Sequence, residues 1–308
     1  MAYGASSDTS GETPKSKTFC SASAPEEAAI ATAQTLSRDA LADEVARLLS
    51  LMRAQRPLVQ AVTNYVSMDV AANALLAIGA SPAMVHAPEE AEDFGAIASA
   101  LVVNIGTLSQ PWVVGMEAAA DVAGRLGRPW VLDPVGVGAT RFRDETTRRL
   151  LLKKPTIVRG NASEIMASAR VAGLHGEAVA PKGVDSAHEV NAARGPAMAL
   201  ALHQKCVVAA TGAVDLVTDG ERVIELANGS PLMTKVTALG CALSAVIAAF
   251  AAVTPDALMA SAAAIGVYGV AGEMAAEAAS RPGSFRVAFL DALDAVGEAD
   301  VVKRLQAP

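Results

Sequence analysis

The stretch LVVNIGTLSQPWVVGMEAAADVAGRLGRPWVLDPVG, residues 101–136, decides the fold class. It opens on an apolar run, Leu101–Ile105, passes through an Ala-rich segment of helical character, Pro111–Leu126, and closes on a second apolar run, Trp130–Leu132. Neither run alternates polar with apolar residues, so a strand built from either is covered on both faces. Parallel strands need a long crossover, usually a helix, and the segment between the two runs supplies one.

The same alternation extends outward. Upstream lie the runs Leu58–Val62 and Ala83–His86 and the helical segments Met68–Ile78 and Pro88–Ala100. Downstream lie Thr156–Val158 and Val207–Ala210, with Glu145–Leu152 and Asn191–Gln204 as helices. This repetition predicts an α/β domain with a mainly parallel sheet covered on both faces. Asp215–Thr218, the turn Asp219-Gly220 and Glu221–Leu226 read as a hairpin. Cys241–Ala252 and Asp256–Ala279 read as two long helices, and Phe285–Leu305 as a more polar helical segment. Leu41–Met52, with leucines and a valine at helical spacing, reads as a first helix. Residues 1–40, rich in Ser, Thr, Ala, Pro and Glu, are expected to be a disordered extension, leaving 41–308 as a single domain.

Hydrophobic residues make up 52% of the 308, enough for a large buried core, while aromatics are only 4%, so that core must be closely packed Ala, Val and Leu. A net charge of −7 argues against nucleic acid as a partner, since phosphate-backbone binding needs a concentrated basic face. The three cysteines, Cys20, Cys206 and Cys241, are odd in number and widely spaced, indicating neither a disulfide framework nor a zinc site. The N-terminus has no basic segment followed by an apolar run, and stretches such as Ala238–Val253 are too short or broken to span a bilayer. A reducing cytoplasm and no membrane partner are the expectations.

In open α/β sheets the ligand crevice lies beyond the carboxyl ends of the strands. Five apolar runs here end in polar or glycine residues: Thr63-Asn64, Asn104–Thr107, Asp133–Gly138, Arg159–Glu164 and Thr211-Gly212. One such ending is an ordinary turn; five on one rim point to a site. Asp133 and Glu164 are its acidic members and suit magnesium, held through water. Each alone also reads as a cap or a solvated charge. Arg159 suits phosphate oxygens, or equally an ion pair with Asp133 or Glu164. The chain has no Walker A sequence and no kinase Gly-rich loop.

A further stretch, Lys235–Phe250, leads through Thr237 and Gly240 into Cys241, which opens a long helix of small apolar residues. A helix start leaves backbone N–H groups without intrahelical partners and carries partial positive charge, so it binds anions, commonly phosphate. The same field favours thiolate, and a lowered pKa is expected for Cys241. The plainer reading is a buried cysteine in a core helix.

Taken in order, Thr63-Asn64, Gly79–Met84, Asn104–Leu108, Leu132–Gly136, Arg159–Ile165, Thr234–Thr237, Gly240-Cys241, Tyr268–Ala271 and Gly283–Phe285 closely resemble the hydroxyethylthiazole kinase family of the ribokinase-like superfamily, over residues from about Pro57 to Phe289. The resemblance implies a three-layer α/β/α fold. It also implies transfer of phosphate from ATP, with Mg²⁺, to the hydroxyl of 4-methyl-5-(2-hydroxyethyl)thiazole in thiamine biosynthesis and salvage, by a homotrimer with active sites at subunit interfaces. Carried over by motif, Cys241 stands where ribokinase relatives usually have an aspartate base, with Gly240 beside it. Arg159, Thr211 and Asn161 fall at ATP positions, Met84, Asn64 and Ala238 at thiazole positions, and Asp133 and Glu164 near magnesium.

One motif departs from the pattern. The family usually has Thr-Gly-small-Gly-Cys, and this chain has Thr237-Ala238-Leu239-Gly240-Cys241. If the loop needs positive φ at 238, alanine costs on the order of 1 kcal/mol. Leu239 brings a large side chain toward the thiazole or γ-phosphate space. An active kinase with altered substrate acceptance is the expectation. The alternatives are a ribokinase-like kinase of another small alcohol, such as hydroxymethylpyrimidine, and a catalytically silent nucleotide- or thiazole-binding protein.

Overall fold

The computed structural model describes residues 36–174 and 186–308. Its strands are β1 (Leu58–Val62), β2 (Ser81–Ala83), β3 (Ala100–Asn104), β4 (Trp130–Asp133), β5 (Ile157–Asn161), β6 (Val207–Thr211), β7 (Asp215–Thr218) and β8 (Val223–Leu226). They form one sheet in the order β2-β1-β3-β4-β5-β6-β7-β8. The pairs from β2 to β6 are parallel, and the β7–β8 hairpin extends that edge antiparallel.

The helices are α1 (Arg38–Gln55), α2 (Met68–Ile78), α3 (Ala91–Ile97), α4 (Gln110–Leu126), α5 (Arg141–Leu151), α6 (Ala162–Val171), α7 (Ser186–Gln204), α8 (Leu239–Ala251), α9 (Ala257–Ala278), α10 (Pro282–Ala295) and α11 (Glu298–Arg304). Successive strand residues point to opposite faces, and each face has its own core. Ala100, Val102, Val131 and Ile157 pack under α1, α2 and α8–α11. Leu101, Val103, Leu132 and Val158 pack under α3–α7. The mainly parallel, doubly covered sheet expected from the apolar runs is therefore what forms. α9 is long and apolar enough to cross a membrane, yet 83% of its most apolar window is buried inside the molecule.

The scarcity of aromatic side chains lets α8 and α9 pack through alanine and glycine. Gly266 of α9 also lets the C-terminal Leu305 pack close, since a Cβ there would stand 2.6 Å from Leu305 Cδ1 and oblige that side chain to shift. The bounds of α2 agree with the sequence reading because Gly79, at φ +102°, closes it with backbone N–H bonds to Leu75 and Leu76.

Several expectations are corrected. β2 ends at Ala83 rather than His86, and the segment from Pro88 divides into a short 3₁₀ turn, Pro88–Glu90, and α3. The stretch from Arg159 is not all loop: β5 runs to Asn161, and a reciprocal Asn161–Glu164 capping box starts α6 at once. Phe285–Leu305 is two helices, broken at Val296-Gly297. α1 begins at Arg38, capped by Ser37, ahead of the expected boundary at 41. The rest of the expected extension, residues 1–35, lies outside the described residues.

The helix that follows the β3 loop is pressed against the chain that follows β2. A Cβ at Gly115 of α4 would stand 2.0 Å from the carbonyl oxygen of His86. A backbone atom cannot swing away as a flexible side chain would, so Gly115→Ala should destabilise by about 2–3 kcal/mol and lower the melting temperature by roughly 5–10 °C. Thermal denaturation followed by circular dichroism checks this; an unchanged midpoint would show that the two segments are not held this closely.

Candidate active site

The register of the central strands places Asn104, at the end of β3, beside Asp133, at the end of β4. Both are fully buried. Asn104 Nδ2 donates to Asp133 Oδ2 at 2.6 Å, and Ser244 Oγ of α8 donates to the same oxygen at 2.8 Å. Asn64, just past β1, donates through Nδ2 to Asn104 Oδ1 at 2.7 Å and to Cys241 Sγ at 3.5 Å. Two asparagine side chains in series thus connect the thiol of Cys241 with the carboxylate of Asp133.

Asp133 Oδ1 is buried and has no partner. Burial pushes this carboxyl up to about 6, with Arg159 pulling less strongly the other way. Arg159, on β5, donates from Nη2 to Thr211 Oγ1 at 2.7 Å, and its Nη1 stands 3.9 Å from Asp133 Oδ2. Its Nε is buried without a partner. Of the two readings of Arg159, the ion pair is present but long, and the guanidinium keeps donor capacity for an anion. Gly240 gives it room, since a Cβ there would lie 3.0 Å from Nη1.

α8 begins at Leu239, two residues ahead of Cys241, and Ala238 precedes it with φ +68° and ψ 0° and no side-chain cap. Alanine therefore does stand where glycine would be unstrained. The first N–H groups of α8 have no side-chain cap, as an anion-binding helix start would require. Leu239 does not crowd the substrate space; its side chain is buried in the core, and its carbonyl accepts a 2.8 Å hydrogen bond from Tyr268 Oη.

The expected lowering of the Cys241 pKa is corrected. Burial, and next the Asp133 carboxylate, push this thiol above its ordinary value, and the smaller opposing pulls of Asn104, Asn64 and Arg159 do not reverse that. The helix-end field is outweighed by desolvation and a like charge.

Glu164 accepts from the backbone N–H of Gly136 through Oε1 and of Asn161 through Oε2, each at 2.9 Å, while Asn161 Oδ1 accepts from Glu164 N–H at 2.9 Å. The pair thus ties the loop after β4 to the start of α6. Met84, one residue past β2, is half-buried and packs against the core of the α8–α9 face. Asn64, Cys241, Gly240, Asp133, Arg159 and Thr211 are brought together; Asn161 and Glu164 join them through the Gly136 loop, Ala238 borders them at the start of α8, and Met84 is tied to none of them by a hydrogen bond. Sequence reasoning gave no role to Ser244, although a serine inside so apolar a helix is a signal. It also missed Arg143, whose guanidinium donates to the carbonyls of Ile105, Val135 and Gly106 at 2.6–2.7 Å and latches the loops after β3 and β4 together.

Among the described residues, no three His, Cys, Asp or Glu side chains gather as a metal cage. Magnesium does not need one: it keeps several waters and takes one or two carboxylates beside substrate phosphates. The unpartnered, buried Oδ1 of Asp133 fits that use.

The sheet, its two helical layers and this polar edge define a ribokinase-like fold. A solved pyridoxal kinase from Bacillus subtilis, 16% identical over 70% of this chain and 91% of its own, shares it with a TM-score of 0.51. The structure of the Pyrococcus horikoshii OT3 hydroxyethylthiazole kinase protein overlays with a TM-score of 0.79 at 39% identity, covering 86% of this chain and 98% of that one. The model of the hydroxyethylthiazole kinase family matches residues 49–299. The hydroxyethylthiazole kinase of Cereibacter sphaeroides is 57% identical over 248 residues, 80% of this chain and 92% of the relative. That of Rhizobium etli is 56% identical over 254 residues, 82% and 96% of the two chains. The chain belongs to the hydroxyethylthiazole kinase family, and membership makes it a phosphotransferase with an alcohol acceptor.

Two outcomes follow from this geometry. Ala238→Gly removes left-handed strain and should stabilise by about 1 kcal/mol, raising the melting temperature by roughly 2–4 °C; a lower midpoint would mean the alanine is unstrained. Asp133 has a raised folded-state pKa, so the fold holds its proton more tightly than the unfolded chain does. Its contribution to stability is complete below the unfolded value, about 4, and is lost as the pH rises through about 6. Asp133→Asn keeps an acceptor for Asn104 and Ser244 without the buried charge. It should melt above the parent protein at pH 8 with the gap closing toward pH 5, which parallel melts across that range would test.

Proposed function

We propose that this chain transfers the γ-phosphoryl group of ATP to the hydroxyl of 4-methyl-5-(2-hydroxyethyl)thiazole, serving thiamine biosynthesis and salvage. The observation that carries the reading is the joining of Cys241 and the uncapped start of α8 to Arg159 and the buried Asp133 in one network, in a chain of this family. Phosphoryl transfer passes through a loose transition state, so catalysis is mainly positioning and charge stabilisation. The N–H groups at Gly240 and Cys241 and the guanidinium of Arg159, oriented by Thr211, stabilise negative charge on the transferring group. Asn161 borders the nucleotide side.

On the acceptor side, Asn64, Met84 and Ala238 border the thiazole alcohol. Cys241 Sγ accepts a hydrogen bond from its hydroxyl and aims the oxygen at the phosphorus. Because burial holds the thiol protonated, it takes no proton itself; the hydroxyl proton leaves late, after most of the O–P bond has formed, to an oxygen of the transferred phosphoryl group. Asp133 and, through water, Glu164 would hold magnesium, which would supply neutralisation of charge on the nucleotide phosphates. The protein is further read as a cytoplasmic homotrimer, on family resemblance.

ADP release with Mg-ATP should depend on added thiazole alcohol. Cys241→Ser should keep the fold and lower kcat roughly tenfold or more. A folded protein with no thiazole-dependent ADP would overturn the reading, and an unchanged kcat in the serine variant would remove Cys241 from the chemistry.

A further inference from the structure

Asn104 bonds both to Asn64, which reaches Cys241, and to Asp133. It is completely buried at the end of β3, and each atom of its amide is used. Oδ1 accepts from Asn64 Nδ2 at 2.7 Å and from the backbone N–H of Gly106 at 2.9 Å, while Nδ2 donates to Asp133 Oδ2 at 2.6 Å. The orientation of Asn64 is thereby forced. Its Oδ1 is taken by the Val66 and Ser67 N–H groups, so its Nδ2 must serve Asn104 and Cys241 Sγ. The close approach of Gly106 locks the arrangement further, since a Cβ there would lie 2.4 Å from Asn64 Nδ2.

We propose that Asn104 is a positioning residue for the transfer step: it fixes Asn64, and through Asn64 the Cys241 sulfur, against Asp133. The inference rests on the proposed function. Asn104 touches neither substrate. Without its amide, Asn64 loses the acceptor that fixes one of its two Nδ2 hydrogens, and its hydrogen bond to Cys241 is free to swing. A misplacement of about 1 Å at a reacting group can cost on the order of a hundredfold in rate. Arg159 and Thr211 of β5 and β6, which serve the nucleotide, do not bond to Asn104, and Asp133 keeps Ser244 as a donor when the Asn104 amide is lost.

The test is a kinetic cycle on the full-length chain. Turnover of the parent protein with the thiazole alcohol is measured first; its absence rejects the reading of function and is recognisable as that. In an active parent, Asn104→Ala should lower kcat roughly ten- to a hundredfold and leave KM for Mg-ATP within about threefold. The same substitution in a Cys241→Ser background should cost at most about threefold, because the group it positions is already gone. Equal losses in both backgrounds, or a loss in KM for Mg-ATP alone, would overturn the proposal. Asn104→Ser, smaller but still polar, serves if the alanine variant does not fold. If neither folds, Asn104 is a folding requirement and the proposal falls.

Discussion

A completely buried carboxylate is the constraint on which the rest of this site depends. Asp133 sits where β3, β4, β5 and α8 meet, and placing a charge there is costly unless neighbours meet its lone pairs. They do so from three different elements: Asn104 from β3, Ser244 from α8 and, at longer range, Arg159 from β5. None of these is close in sequence to Asp133. The strand order and the seating of α8 must both be right for that oxygen to be satisfied, so the fold and the site specify one another. Only one of its two oxygens is served by these neighbours.

The start of α8 shows how a strained backbone is retained. Alanine at φ +68° is unfavourable by itself, and nothing caps the helix end. It is held from outside: Leu239 is sunk into the core, and Tyr268 on α9 donates a hydrogen bond to its carbonyl. A core of small residues transmits such constraints well because it has little slack. The helix start, Cys241 included, is thus held beside Arg159 by packing on the far side of the same turn.

How much of this could be read from the sequence varied with how local the cause was. The strands were legible because parallel strands covered on both faces are apolar without alternation. The bounds of α2 were legible because Gly79 ends it. The positive φ at Ala238 was legible through the departure from the glycine-rich pattern. α6 was missed because its polar start reads as loop, although Asn161 and Glu164 stand at capping-box spacing. The direction of the Cys241 pKa was misread because the helix-end field is a local property, whereas its burial and its proximity to Asp133 are tertiary. Arg143 left no trace in the sequence at all: its partners are backbone carbonyls, which every residue has.

The raised thiol pKa also bears on why cysteine suits this position. The resemblance places Cys241 where ribokinase relatives usually have aspartate, and here the residue is joined to Asp133 through two asparagines. A second carboxylate in that network would bring like charge into a site whose first carboxylate is already hard to ionise, with Arg159 alone to offset both. The thiol avoids this. It is neutral and stays so, and its sulfur lone pairs accept a hydrogen bond. For a transfer in which the alcohol proton leaves late, a group that stays neutral throughout adds little repulsion toward the incoming phosphates and still aims the oxygen. The same burial that defeats the expectation of a reactive thiolate therefore makes cysteine compatible with a buried aspartate one short network away.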